Sequence, residues 1–200
     1  GEKSWGVAYH IGGGFHHSYP DHGEGFCVFN DIGIGIRKMQ QEKRIKKAMV
    51  IDCDVHQGNG TAVIFQNDPN VFTFSIHQED NYPMPKEKSD LDVPLWGGDG
   101  DEPFLKALRT HIPQILSDHK PELLIYVAGA DPYVGDQLGQ LNITMKGLEE
   151  RDQIVLGEAA RLKIPTAIVL AGGYAEDPQD LIDIHVQTAR VAVGYLPKAL

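Results

Sequence analysis

Two adjacent histidines and a short DxDxH cluster are the residues of this chain best equipped for chemistry. The first stretch reads Gly12-Gly13-Gly14-Phe15-His16-His17 and runs on to Gly25-Phe26-Cys27-Val28-Phe29-Asn30-Asp31. The second reads Asp52-Cys53-Asp54-Val55-His56-Gln57-Gly58-Asn59-Gly60. Together they supply hard oxygen and borderline nitrogen ligands, two candidate bases, and glycines that let backbone approach closely. That is the equipment of a metal-dependent hydrolase. In extended chain, the i, i+2 spacing of Asp54 and His56 puts both side chains on one face. Asp131 would complete a three-ligand site with an open position, the mark of a catalytic zinc. Alone, a DxH pair is a weak signal, since two residues that merely cap a loop read the same way. A neutral imidazole at His16 or His17 can take a proton from water and return one to a leaving amine. A glycine-rich loop is needed to turn both rings inward. Tyr174, behind Gly172 and Gly173, offers a phenol to a developing oxyanion. A core tyrosine at a strand-to-helix turn would give the same pattern. His10 and His22 read as ordinary surface or packed histidines.

The elements that must position these groups follow from the apolar pattern. Short runs rich in Val, Ile, Ala and Tyr predict strands over 6–10, 48–52, 71–76, 123–128 and 166–170, each covered on both faces. Helical patterns fall between them, over 27–42, 101–119 and 146–163, with a last helix opening at Asp177-Pro178. Asp101 is expected to cap the second of these and Thr144 the third, and Pro113 to kink or divide the second. The basic run Lys43-Arg44-Ile45-Lys46-Lys47 suits a helix C-terminus and a solvated face. Strand–helix alternation argues an α/β fold, with a mainly parallel sheet flanked by helices on both faces. The chemical groups then leave the carboxyl ends of four strands, where open α/β sheets hold their ligand crevice.

Bulk properties narrow the partners. The chain has 200 residues, 42% of them hydrophobic, and 18 basic against 28 acidic side chains give a net charge of −10. That length suits a single domain over 1–200. The acidity disfavours nucleic acid, which needs Lys and Arg for phosphate contacts, and favours a cationic partner such as a lysine-rich peptide or a polyamine. No apolar run reaches membrane-spanning length, and the start Gly1-Glu2-Lys3-Ser4-Trp5 has no signal-peptide core, so a cytoplasmic location is expected, or a nuclear one in a eukaryote. Cys27 and Cys53 each sit inside a motif and read as reduced and buried, not as a disulfide framework.

In combination, the stretches 12–31, 52–60, 75–77, 129–139 and 172–174 resemble the zinc-dependent histone deacetylase family, with its arginase/deacetylase fold. The resemblance runs from about residue 6 to about residue 193 and is closest to the class IV branch and its bacterial relatives. It implies that Asp54, His56 and Asp131 bind Zn2+. It also implies that His17 is the general base and acid with His16 as its electrostatic partner, and that Tyr174 polarises the amide carbonyl. Asp52 would orient His16 and help hold a structural K+, with backbone carbonyls of Asp52, Asp54 and His56 and with Ser75 and Ile76. Gly25, Phe26 and Leu138, with Gly172 and Gly173, would line a narrow acyl-lysine tunnel. Asn59 would stand behind the base, where class I members carry aspartate and class II and IV members share Asn. The family's domain begins before Gly1, so the chain reads as its C-terminal two-thirds, without the rim acid that grips substrate backbone.

The expected activity is therefore hydrolysis of an acyl amide, acetyl or longer, on acyl-lysine or a similar amine. An arginase-like ureohydrolase with two manganese ions is the nearest rival. It needs a second acid just after the histidine, where Gln57-Gly58 stand. A non-catalytic acyl-lysine binding module, or an inactive fragment, is the other.

Overall fold

Alternation along the strands sorts their side chains onto two buried faces, and the fold follows from covering both. In the computed structural model, which describes residues 5–196, the order is β1 (Val7–His10), α1 (Asp31–Gln41), β2 (Ala48–Asp52), α2 (Asn59–Phe65), β3 (Val71–Gln78), β4 (Leu91–Leu95), α3 (Asp101–His119), β5 (Leu123–Val127), α4 (Met145–Arg161), β6 (Thr166–Val169) and α5 (Pro178–Gly194). Residues 1–4, part of the start read above for a leader, lie outside the described residues. Met49, Ile51, Leu124, Tyr126 and Ile168 face one way and pack with Phe104, Leu108 and Ile112 of α3, Leu148 and Val155 of α4 and Ile184 of α5. Ala48, Val50, Ile125, Val127 and Val169 face the other way, against Ile32 and Ile36 of α1 and Phe65 of α2.

Among the described residues the six strands form one sheet in the order β1-β6-β5-β2-β3-β4, with every pairing parallel. From β2 the chain moves outward through β3 to β4. It then crosses back to β5 on the other side of β2 and proceeds to β6. The neighbours β2 and β5 thus form the switch point, the place where an open parallel sheet leaves a crevice at its carboxyl edge. Asp54 and His56 follow β2, and Asp131 follows β5.

The five predicted strands all form. β4 was not predicted; it reads Leu91-Asp92-Val93-Pro94-Leu95 and sits at the sheet edge, where a proline deprives no neighbour of a ladder bond. α2 was not predicted either. α1 starts at Asp31 and not at residue 27, because Asn30 caps it by accepting from the Gly33 N–H. Pro113 neither kinks nor divides α3, which runs on as one helix while Ile112, Ile115 and Leu116 bury its inner face. Its cap is Gly100; Asp101 instead accepts from the N–H and hydroxyl of Thr144 at 2.8 and 2.7 Å. Thr144 and Asp177 cap α4 and α5 as expected. Cys27 and Cys53 are buried and unpaired. No described helix is long and apolar enough to cross a membrane.

Candidate functional site

The loop after β1 is held by Asn30 and Asp31, at the far end of the same stretch, and by Thr61. Both carboxylate oxygens of Asp31, the first residue of α1, accept backbone N–H groups, from Gly14 at 2.9 Å and Phe15 at 2.7 Å. Asn30 donates to the Ser18 carbonyl and to the Thr61 hydroxyl. The Thr61 N–H, in α2, donates to the His16 carbonyl. The loop is thereby pinned at three points, and His16 and His17 both point inward with ring centroids 4.0 Å apart.

Their partners differ in kind. His16 Nδ1 lies 2.7 Å from Asp52 Oδ2, and His17 Nδ1 lies 2.7 Å from Asn59 Oδ1. Burial opposes a charge on His16, yet Asp52 and Asp54 outweigh it and raise His16 to about 9. Burial dominates at His17, and the neighbouring His16 charge adds to it, lowering His17 to about 3. Charge is thus favoured on the first imidazole and disfavoured on the second. An amide oxygen can only accept, so His17 carries its proton on Nδ1 and leaves Nε2 with a lone pair.

Asp54, His56 and Asp131 bring one ligand atom each to within 4.8 Å of one another, all buried. His56 Nδ1 sits 3.2 Å from Asp54 Oδ1 and 3.2 Å from Asp131 Oδ2. Backbone fixes the carboxylates: the Val55 N–H donates to Asp131 Oδ1 at 2.8 Å, and the Gly172 N–H to Asp54 Oδ2 at 2.7 Å. At Gly172 no side chain fits, since a Cβ would lie 2.1 Å from Asp131 Oδ2. Beneath, buried Arg151 donates to the Gly129 carbonyl at 2.5 Å and to Asp152 at 2.9 Å, holding the turn that leads to Asp131. Burial and then the Asp54 charge raise Asp131 to about 7. Burial opposes a charge on His56, but Asp131 and Asp54 outweigh it and raise His56 to about 10. A buried pair of carboxylates with one imidazole that takes up protons so strongly fits a divalent cation.

Two cavities meet at this cluster. The inner one, 180 Å³, is bounded by the glycine loop, Cys27, Asp54, Asp131 and Gly172. The outer one, 520 Å³, is walled by Phe26, Tyr82, Leu138, His17 and His56. Tyr174 borders both. Burial, then the charges of Asp54 and Asp131, raise its phenol above the ordinary value, so it remains a donor. Gly25 and Phe26 form a two-residue turn between Glu24 and Cys27, whose backbones exchange bonds of 2.9 and 2.7 Å. Both turn residues have positive φ, 51° and 65°. A Cβ at Gly25 would meet the His17 ring at 2.4 Å.

The structure therefore brings together His16, His17, Asp52, Asn59, Asp54, His56, Asp131 and Tyr174, with Gly25, Phe26, Leu138 and Gly172 around them. Gly173 borders neither cavity; its α-carbon faces Leu181 and Ala130, so it serves packing against α5. Ser75 pairs with Asp52 across β2–β3, and its hydroxyl meets His77 Nδ1 at 2.9 Å. Ile76 sends its side chain into the core. Gln57 is spent elsewhere: its amide bonds the Glu87 backbone and Asp92. Sequence reasoning missed Tyr82, whose ring packs edge-on to His17 at 5.0 Å, and Glu24 beside it. Glu24 lies inside the 12–31 stretch but is given no role there, and Tyr82 belongs to no motif; only an aromatic set among prolines at 81–85 hints at a built wall.

Residues 2–188 match the histone deacetylase domain family. The chain is 45% identical over 187 residues to an uncharacterized protein of Picosynechococcus sp., covering 94% of this chain and 62% of that one. It is 34% identical over 184 residues to Histone deacetylase 2 of Arabidopsis thaliana, covering 90% and 47%. The crystal structure of the HDA15 HD domain matches with a TM-score of 0.77 and 27% identity, covering 90% of this chain and 54% of that one. The chain thus spans only part of each relative's length.

Proposed function

Because this chain belongs to the histone deacetylase domain family, we propose that it carries the catalytic centre of a zinc-dependent deacylase acting on acyl-lysine or a similar acylated amine. The observation that carries the reading is the pair of imidazoles, one backed by a carboxylate and one by an amide, beside one three-ligand cluster. Asp54, His56 and Asp131 would hold the zinc, and when bound it supplies Lewis-acid polarisation of the acyl carbonyl and a more acidic water. The lone pair on His17 Nε2 takes the proton of the attacking water and then delivers it to the leaving amine. His16, kept protonated by Asp52, supplies fixed positive charge where negative charge develops. The Tyr174 hydroxyl donates to the oxyanion. Phe26, Tyr82 and Leu138 suit the aliphatic stem of a lysine. The net charge of −10 favours a cationic substrate. A structural K+ beside Asp52 and Ser75, and the class IV placement, with which Asn59 is compatible, belong to the same proposal.

The test is a panel of peptides and polyamines bearing acyl groups of increasing length, assayed with metal-analysed protein. We expect turnover with one equivalent of zinc. Tyr174→Phe should lose a hundredfold or more in kcat, about the contribution of one oxyanion donor. Turnover that needs two equivalents of manganese and acts on guanidino substrates would replace this reading with the ureohydrolase. A Phe variant within about threefold of wild type would remove Tyr174 from the chemistry.

A further inference from the structure

The amide of Asn59 has nearly the same shape whichever way it is turned, so its partners decide which atom meets His17. On the far side of that amide, Asn59 Nδ2 donates to Glu24 Oε1 at 2.9 Å and to the Tyr19 hydroxyl oxygen at 3.3 Å. The Tyr19 hydroxyl spends its own proton on Glu87 Oε1 at 3.0 Å, so towards Asn59 it can only accept. Glu24 is held in turn. The Tyr82 hydroxyl donates to its Oε1 at 2.6 Å, and His22 Nε2 lies 3.3 Å from its Oε2. The Tyr82 bond, the largest effect on Glu24, keeps its carboxyl below the ordinary range, so an ionised acceptor faces Asn59. With two acceptors behind it, the amide must present its oxygen to His17 Nδ1.

We propose that Glu24, braced by Tyr82, is a positioning residue that locks the Asn59 amide and, through it, the His17 tautomer whose lone pair faces the cavity. The inference deepens the deacylase reading and rests on it for its kinetic consequence. Its structural content is independent of turnover. It gives Tyr82 two tasks: the ring walls the outer cavity, and the hydroxyl fixes the carboxylate that orients the base. Glu24 also borders the outer cavity. A direct charge effect on substrate is therefore the competing account, and it has a different signature. Positioning needs an acceptor oxygen at residue 24, whereas attraction of a cationic substrate needs the charge.

The experiment compares Glu24→Met, Glu24→Gln and Tyr82→Phe in the zinc-loaded protein, with kcat, KM and the 15N shifts of labelled histidine read for each. Glu24→Met removes the acceptor at similar length, and the backbone pairing of residue 24 with Cys27 does not depend on its side chain. It should lower kcat about tenfold, the rate equivalent of one hydrogen bond, with KM within about twofold. Its His17 signal should change from one tautomer, protonated on Nδ1, to a mixture. Glu24→Gln keeps an acceptor oxygen and should recover most of the loss. Tyr82→Phe should fall between. In an Asn59→Ala background, Glu24→Met should cost nothing further. The proposal is overturned if Gln is as impaired as Met, if the loss lies in KM, if the losses add in the Asn59→Ala background, or if the His17 tautomer is unchanged in Glu24→Met. If wild-type protein hydrolyses no acyl amide, the deacylase reading fails while the tautomer measurement still decides the role of Glu24.

Discussion

A neutral amide stands behind His17, and a carboxyl group, itself raised by burial, stands behind His16. The two dyads have similar geometry, but burial and then the charge on His16 lower His17, whereas Asp52 and Asp54 overcome burial and raise His16. Asn59 is the one of these influences that a single substitution in contact with Nδ1 can change. An amide orients the imidazole and stabilises its cation less than a carboxylate would. Replacing it by Asp adds a negative charge in contact with Nδ1 and raises the His17 value from its depressed level of about 3. His17 acts only while neutral, so a raised value narrows activity from the acid side. The acidic limb of kcat/KM should therefore move to higher pH in Asn59→Asp, by ~1 unit for an adjacent carboxylate. Activity at low pH falls, while the plateau holds or rises because the base is stronger. A pH–rate profile of both proteins checks this. A limb that stays put or moves to lower pH would mean that another group titrates there.

Among the elements, the turn at Gly25-Phe26 shows how local strain is used. Phe26 has φ 65° and is 84% exposed, a conformation and an exposure that both disfavour a large L side chain. The strain costs about 1–2 kcal/mol and is repaid by an aromatic wall over the outer cavity. Phe26→Asn, which tolerates positive φ, should raise Tm by a few degrees, at about 2–4 °C per kcal/mol for a chain of this size. It should also raise KM several-fold for acyl-lysine peptides. A melting curve and a Michaelis series on the same preparation test both halves, and a lower Tm with unchanged KM would contradict them. Elements were legible where pattern and burial agree: β2 is apolar at 48–51 and wholly buried, and the Asp177-Pro178 start of α5 is a cap with a mechanism. They were not legible where local composition hides them. α2 opens with Gly58, Asn59 and Gly60, poor helix formers that tertiary contacts to the histidine loop override, so the helix that carries Asn59 went unseen. β4 carries an aspartate and a proline that only an edge position tolerates. The motif residues could be placed from their types and from the strand ends they follow. The roles of Glu24, Tyr82 and Asp31 could not, because they depend on hydrogen bonds between residues 16 to 58 apart in sequence.

For the molecule as a whole, the parallel sheet gathers loops with little positive charge of their own at its switch point, and the Asp54–His56–Asp131 cluster is where that imbalance is concentrated. Without a cation the cluster recruits protons: Asp131 rises from 3.8 to about 7 and His56 from 6.5 to about 10. Both folded values exceed the unfolded ones. Their contribution to stability is therefore fully present below the unfolded values and is lost as pH rises through the folded ones. A metal must displace those protons, so its apparent affinity grows over the same interval. Buried His77 and His185, each lowered to about 4 chiefly by burial, act oppositely: their contribution is lost as pH falls. They do so whether or not a metal is present, so the difference between zinc-loaded and chelated protein reports the cluster together with the two histidines its charge acts on, His16 and His17. At fixed free zinc, that difference in Tm should be small near pH 5.5 and should grow towards pH 8, reaching about 5–10 °C where free zinc is a hundredfold above Kd. Asp131→Asn removes one ligand charge and one of the two titrations, and should shrink the zinc shift at high pH to a small fraction of the wild-type value. Thermal melts across that range, with and without chelator, decide it. A zinc shift that is flat with pH, larger in acid, or intact in Asp131→Asn would show that the metal does not occupy this cluster.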